Sequence, residues 1–287
     1  MRRWVPAIAA LVVVADAVLL ATGVIGRAAA LALFLAVEVP LAAVVVAEYV
    51  RRYRHARRAA PTRRAALSAL AADDPYLRLA STEARTLASL ARWVARRPDV
   101  PAGATAIGYA RGTLGVPAAL SVAAAIEVVA VHLLVPWPVT RIVLDVLGLY
   151  GLVVILGMLA GRVVRPHLLT GDTLVLRNGP HVCARVPLDA VAAVRRDRRL
   201  SPTAAEFVED PGPGGAGAAP VLALAGPDGT GLTLDLDRPV PATAPTFPWR
   251  RPNPRDVREV RLHVDDPGTA ARALTQAPDL GRPTRPV

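Results

Sequence analysis

The sequence predicts a membrane α-helical bundle of four transmembrane helices plus a small cytoplasmic β-rich domain with a terminal helix. Three observations lead to this fold class. Four apolar stretches lie in the first 161 residues, and a run of 18 or more apolar residues is typical of a membrane span. The arginines lie almost entirely on one side of these stretches. Beyond the last stretch, short alternating apolar segments replace the long ones.

The predicted spans form two hairpins. The first stretch begins with basic residues, as a signal peptide does. Its apolar part of about 20 residues exceeds the 7–15 residues usual for a signal peptide, which favours an uncleaved helix. The predicted order is a transmembrane hairpin at 1–50 (helices about 5–25 and 28–50), a basic helical segment at 51–115, a second transmembrane hairpin at 116–161 (helices about 116–135 and 142–160), and the β-rich domain at 166–280.

The distribution of arginine predicts the orientation of the spans. All 34 basic residues are arginine, and the formal net charge is +11. With both termini inside, 32 arginines lie on the cytoplasmic side, and only Arg27 and Arg141 lie outside. Cytoplasmic segments of membrane proteins keep the excess of basic residues. We therefore expect a multi-pass protein of the cell (inner) membrane with both termini in the cytoplasm.

Each predicted span carries one carboxylate near its middle or outer half. An ionisable group inside a span is costly, so it marks a functional site or a paired packing contact. Acids that gather in a low dielectric have raised pKa values and could carry protons or hold a cation. The alternative is that each acid is protonated and hydrogen-bonds a neighbouring helix. The candidate ion or proton site, to which we assign no metal, comprises Asp16, Glu38, Glu127, Asp145 and His132.

A dense basic run follows the second span. Such a run attracts anionic lipid with about 1 kcal/mol per residue near the surface. The alternative is that it only sets the topology of the neighbouring span. The candidate contacts for anionic lipid headgroups are Arg51, Arg52, Arg54, Arg57 and Arg58.

An amphipathic helix is predicted between the two hairpins, at about Pro75–Arg97. Asp74 and Pro75 are typical of a helix start, and Pro98 ends the pattern. We expect this helix either on the bilayer surface or against the C-terminal domain. Gly157 and Gly161 have the spacing that lets helices approach closely. Packing within the bundle is the default use of these glycines, and a homo-oligomer seam is the alternative.

Short strands are predicted after residue 166. Asn178-Gly179 is a strong hairpin signal between two apolar segments. The glycine-rich stretch 210–220 is predicted to be a flexible loop, and the six prolines of 239–254 argue against sheet interior there. The predicted elements are strands at 172–177, 182–186, about 187–194, 221–225, 232–236 and 257–264, followed by a helix at 267–276.

Residues 169–196 resemble the bacterial PH-like domains that are appended to membrane helices. The resemblance lies in GDTLVLRNG, a tight turn, and then ARVPLDAVAAVRR. It implies a PH-like domain, a bent sandwich closed by a helix. The whole chain also resembles actinobacterial integral membrane proteins of uncharacterised activity, and this resemblance implies no reaction.

The sequence contains no motif of a known catalytic site. It lacks a phosphate-binding glycine loop, HExxH, CxxC and a nucleophile elbow. The single Cys183 is expected to be a buried thiol. We therefore expect neither an enzyme, a cofactor nor a nucleic-acid partner. The chain is interpreted as a scaffold or regulatory component that presents its cytoplasmic domain to an unidentified protein partner. The alternative is a proton- or cation-coupled carrier that uses the intramembrane carboxylates.

Overall fold

The computed structural model describes residue 15 and residues 26–210, 219–247 and 249–276. The first predicted span, at about 5–25, lies outside the described residues. The chain divides into two compact units between Asp74 and Pro75. The predicted segment 51–115 is therefore shared between the two units, and each unit is described by itself.

The first unit contains two helices. Helix α1, Arg27–Ala59, includes the predicted second span and continues through the basic run as one helix of 33 residues. Helix α2, Arg63–Asp73, begins where the Thr62 hydroxyl accepts a hydrogen bond of 3.1 Å from the Ala65 N–H. Such a cap satisfies an N–H group that the first helical turn leaves unpaired.

Two long apolar helices of the second unit form a hairpin. They are α4, Gly115–Leu134, and α5, Pro138–Val164, and both are packed along each other. Pro138 at the first position of α5 fits the helix start because its missing N–H would have no partner there. Within the described residues, three helical stretches are long and apolar enough to cross a membrane: Ala32–Ala59, Gly115–Leu134 and Pro138–Val164.

Helix α3, Pro75–Val94, packs along α5, and its placement on the bilayer surface stays a prediction. The reason for the packing is a match of small residues. A Cβ atom at Gly157 would lie 2.7 Å from Cγ2 of Thr86 and 2.9 Å from its carbonyl oxygen. Gly161 also faces Ser89, although a Cβ atom there would lie 3.8 Å from the Ser89 Cβ, an ordinary van der Waals contact. The glycine spacing therefore serves packing inside the chain, against α3.

The second unit also contains a nine-stranded sheet. Its order is β1-β2-β3-β4-β8-β9-β7-β6, and β5 pairs with β8 outside this path. Neighbours are antiparallel except β7 and β9, which are parallel. The strands are β1 Thr105–Ile107, β2 His167–Thr170, β3 Thr173–Asn178, β4 His181–Pro187, β5 Val191–Arg195, β6 Ala205–Asp210, β7 Ala219–Leu224, β8 Leu232–Ala242 and β9 Arg255–Leu262.

The Asn178-Gly179 hairpin is confirmed. Strands β3 and β4 are antiparallel, with Asn178 opposite His181. Gly179 has a φ of +54°, which a residue without a Cβ adopts at little cost. A short 3₁₀ turn, Leu188–Ala190, then leads into β5.

The prediction that 239–254 lies outside the interior of the sheet is wrong for its first four residues. Strand β8 runs to Ala242 and pairs with β4 and β9. Pro239 falls where the register with β9 shifts, and Val240 and Ala242 alternate inward into the core. A proline is tolerated at such an irregularity because no backbone N–H has to donate to the neighbouring strand at that position.

The core of the sheet domain is built from leucine and valine of several strands. Leu174, Leu222 and Val260 are fully buried in it. Helix α6, Pro267–Gln276, closes the domain and adds Ala270 and Leu274 to the same core. Burial of each large apolar side chain stabilises the fold by about 1.5–3 kcal/mol. The predicted terminal helix is therefore confirmed.

Candidate functional site

The structure describes part of the predicted intramembrane cluster. Asp16 lies outside the described residues, and the side chain of Glu38 is likewise outside the description. Glu127 is exposed on the surface of α4, and in the part of the chain that is described its carboxylate has no hydrogen bond or ion pair. Convergence of these three acids in one interior therefore stays a prediction.

His132 and Asp145 form a pair between α4 and α5. Nδ1 of His132 lies 2.8 Å from Oδ2 of Asp145. The Asp145 side chain is 25% exposed and that of His132 is 61% exposed. The other carboxylate oxygen, Oδ1, is buried and has no hydrogen-bond partner among the described residues. The structure therefore brings together two of the five residues of the predicted ion or proton site.

The predicted lipid-contact arginines lie on the last turns of α1, and some of them are paired. Arg51 and Arg52 both bind the Glu48 carboxylate, at 2.8 and 2.9 Å. Arg57 donates to the carbonyl oxygen of Ala60, at 2.9 Å. Arg54 and Arg58 are exposed at the surface of the helix. The run therefore keeps exposed basic charge, although part of it is neutralised.

The α4–α5 hairpin is fixed to the sheet at both ends. Strand β1, in the connection before α4, pairs with β2, which begins three residues after α5 ends. The Asp99 N–H donates to the carbonyl oxygen of Val164, the last residue of α5, at 2.7 Å. The Asp265 carboxylate accepts from the Arg111 N–H at 2.6 Å. The connection 95–114 thus contributes strand β1 to the edge of the sheet.

Asp99 gathers three arginines at this junction. Its carboxylate lies 3.3 Å from Arg92, 3.6 Å from Arg177 and 3.9 Å from Arg165. Arg165 also donates to the Ser89 hydroxyl at 2.9 Å, which ties α3 to the end of α5. Burial lowers the pKa of Arg165 and of Arg177 from the usual value, while Asp99 acts in the opposite direction. Because three guanidinium groups surround one carboxylate, the cluster carries a surplus of positive charge.

Tyr109 and His167 form a buried polar cluster next to Arg177. The ring of His167 stacks on Tyr109 with centroids 4.5 Å apart. The Tyr109 hydroxyl accepts a hydrogen bond of 2.7 Å from the Gly179 N–H. Nε2 of His167 has no hydrogen-bond partner among the described residues, and the ring borders a cavity of about 10 Å³. That volume is near the lower limit for one water molecule.

Burial sets the protonation of this cluster. It lowers the pKa of His167 to about 3, and the neighbouring Arg177 acts in the same direction. Burial also raises the pKa of Tyr109 to about 12. Both rings are therefore neutral at pH 7. The cluster supports the fold and offers no general base that is accessible to a substrate.

An open cleft lies where α3 and α5 end. Its volume is about 510 Å³. Trp93, Val94 and Val163 form its apolar part and are exposed. Arg96 and Arg97 supply its charge, and both are exposed. The cleft therefore combines an apolar wall with two cationic groups.

Helix α3 ends in a Schellman motif in which an arginine takes the left-handed position. The Arg97 N–H donates to the carbonyl oxygen of Arg92 at 2.9 Å, and the Arg96 N–H donates to that of Trp93 at 3.0 Å. Arg96 has a φ of +53°. Glycine is usual at this position, because a residue with a Cβ pays roughly 1–2 kcal/mol there. Arg96 therefore adopts an unfavourable backbone conformation and places its guanidinium group at the edge of the cleft.

The single cysteine is a buried thiol, as the sequence predicts. Burial raises the pKa of Cys183 to about 12, so the thiolate is not formed at neutral pH. Over the described ranges, no group of three His, Cys, Asp or Glu side chains is placed to hold a metal ion.

Comparison of the chain with protein-family models, with curated proteins and with solved structures gave no match.

The sequence did not predict the cluster of arginines around Asp99. It predicted Arg97 only as the end of a helix. Asp99, Arg165 and Arg177 meet across 78 residues of sequence, and nothing local indicates such a contact. One local signal was present. No glycine follows the predicted helix before Pro98, so a residue with a side chain has to take the left-handed position at the helix end.

Proposed function

We propose that this chain is an integral membrane protein of the scaffold or regulatory class, and that it presents its sheet domain to a protein partner in the cytoplasm. One observation carries the proposal: both ends of the apolar α4–α5 hairpin are fixed to the sheet through the pairing of β1 with β2. A movement of the two helices would thereby displace the edge of the sheet. A protein bound to the sheet would be held at a fixed distance from the bilayer.

We further propose that the sheet domain is PH-like. The order of its parts supports this assignment: a meander β2–β4, a turn into β5, later strands, and a closing helix α6 that packs on the core. The parallel pairing of β7 with β9 was not part of that expectation.

Membrane placement is tested with reporter fusions to the full chain. Fusions at residue 60 and at the C-terminus should report cytoplasm, and a fusion at Pro136, between α4 and α5, should report the outside. This follows from the excess of arginine on the proposed inner side. A reporter signal from outside at residue 60 would contradict the proposed orientation.

The partner role is tested by cross-linking in intact membranes. The full chain is compared with a chain that ends after Arg165 and so keeps the helices but lacks the sheet after β1. We expect the same cross-linked protein to be recovered with the full chain in repeated preparations and to be absent with the shortened one. Equal recovery with both chains would show that the sheet domain does not hold the partner.

A second candidate is a proton- or cation-coupled carrier, and the His132–Asp145 pair favours it. The pair joins two candidate spans at 2.8 Å. The full chain is reconstituted in vesicles with a pH-sensitive dye inside. A proton flux above that of empty vesicles, lost in Asp145→Asn, would replace the scaffold proposal. A flux equal to that of empty vesicles, with an imposed proton gradient or with Na⁺ or K⁺ gradients, would exclude this role for these ions.

A further inference from the structure

We propose that the cleft between the ends of α3 and α5 binds one anionic phospholipid. Arg96 and Arg97 would hold the phosphate, and Val94 and Val163 would lie against the start of an acyl chain. This inference rests on the membrane placement given above, and it requires neither the scaffold role nor the PH-like fold.

The first support is the charge of the cleft. In the described part of the chain, neither Arg96 nor Arg97 has a hydrogen bond or ion pair from its side chain. The nearby Asp99 is already shared by three other arginines. The pair is therefore free to bind an anion, and guanidinium groups bind phosphate oxygens with charge-assisted hydrogen bonds.

The second support is the apolar wall. Val94 is 75% exposed and Val163 is 39% exposed. Val163 lies on the last turn of α5, so the wall continues into the exposed apolar face of a candidate span. Trp93, beside it, is 40% exposed, and tryptophan is enriched where a span meets the headgroup region. A soluble anion would use the arginines but would leave this wall in water, so a lipid is the occupant that fits both parts.

The third support is the left-handed backbone of Arg96. The position favours glycine, yet the chain places a guanidinium there. This also gives a sharp variant. Arg96→Gly removes the charge and suits the backbone, so the folded state should be at least as stable as before.

The experiment uses the full chain in a neutral detergent. Thermal unfolding is followed with added phosphatidylglycerol, with phosphatidylcholine of the same acyl chains, and with inorganic phosphate at the same concentration. A ligand that binds the native state raises the unfolding midpoint. We expect phosphatidylglycerol to raise the midpoint and the other two additives to leave it unchanged.

Three variants locate the site. Arg96→Gly combined with Arg97→Gln should weaken the apparent affinity for phosphatidylglycerol by at least about tenfold, because two charge-assisted contacts are lost. Val94→Ser should weaken it by a smaller factor. The matched control is Arg250→Gln with Arg251→Gln, two adjacent exposed arginines far along the chain from the cleft, and it should bind as the unaltered chain does.

Several outcomes would overturn the proposal. Equal stabilisation by phosphatidylcholine would mean that any amphiphile suffices, and stabilisation by inorganic phosphate would make the site a simple anion site. If the response survives in the Arg96→Gly, Arg97→Gln chain but is lost in Arg54→Gln, Arg57→Gln, Arg58→Gln, the basic run of α1 is the lipid site instead. Because the readout is lipid binding, none of these outcomes bears on the cross-linking test of the scaffold role.

Discussion

The backbone N–H of Arg177 donates a hydrogen bond of 3.0 Å to Nδ1 of His167. Since Nδ1 accepts, a neutral ring carries its proton on Nε2. A doubly protonated ring would lose this acceptor and would place a buried charge beside the Arg177 guanidinium. The contact therefore makes the fold sensitive to acid.

We expect acid to destabilise the second unit through His167. The pKa of His167 is about 3 in the folded chain, below the usual value of 6.5, so below pH 6.5 the unfolded chain binds the proton more readily. Its contribution to stability is fully present above pH 6.5 and is lost as the pH falls towards 3, with a slope of up to about 1.4 kcal/mol per pH unit.

The measurement is chemical unfolding of the full chain in detergent between pH 7 and pH 4. His167→Asn keeps an acceptor for the Arg177 N–H but does not titrate, so its free energy of unfolding should depend less on pH. His55→Asn, at an exposed position of α1, is the control and should keep the original dependence. Identical pH profiles for the original chain and His167→Asn would contradict the prediction.

Tyr109→Phe should destabilise the β3–β4 hairpin. The change keeps the ring that stacks on His167 but leaves the buried Gly179 N–H without an acceptor. An unsatisfied buried donor costs about 1–3 kcal/mol. Thermal unfolding in detergent measures the loss, with Tyr53→Phe as the control. A midpoint equal to that of the control would mean that water replaces the hydroxyl without penalty.

Gly157→Ala should destabilise the protein and Gly151→Ala should not, although both residues lie on α5. A Cβ at Gly157 would overlap Thr86, so overpacking should cost about 1–3 kcal/mol and push α3 away. Gly151 has no atom within 4 Å of such a Cβ, so alanine there should be neutral or stabilise the helix by about 0.5–1 kcal/mol. Unfolding midpoints of the two chains decide, and a midpoint for Gly157→Ala as high as that of the original chain would refute the α3–α5 contact.

A fragment of residues 166–276 should give a β-dominated circular dichroism spectrum, because it contains eight of the nine strands. It lacks β1 and Tyr109, however, so its edge and His167 are uncovered. A second fragment joins 99–114 to 165–276 through a short glycine-serine linker that replaces the hairpin. We expect this fragment to unfold at a higher temperature. A mostly helical or disordered spectrum for both fragments would contradict an independent sheet domain.

The elements that sequence predicted have local signals. Apolar length alone indicates α4 and α5, and Asn178-Gly179 marks its hairpin because the turn needs a positive φ. Strand β1 was missed because its three residues pair with a strand 62 positions later, and nothing nearby indicates that partner. In the candidate site, His132 and Asp145 were both predicted, since ionisable groups stand out in apolar helices. The cluster around Asp99 was not, because it depends on how three separate elements meet.

The pairing of β1 with β2 also sets an order of events during synthesis. Strand β1 leaves the ribosome before α4 and α5, whereas its partner β2 follows them. The edge of the sheet can therefore close only after both intervening helices have been made and turned back to bring their ends together. A chain whose two helices fail to come together would leave β2 without β1 beside it, exposing a strand edge of the kind that promotes aggregation. The pairing of β1 with β2 therefore occurs only in a chain whose two long helices have come together.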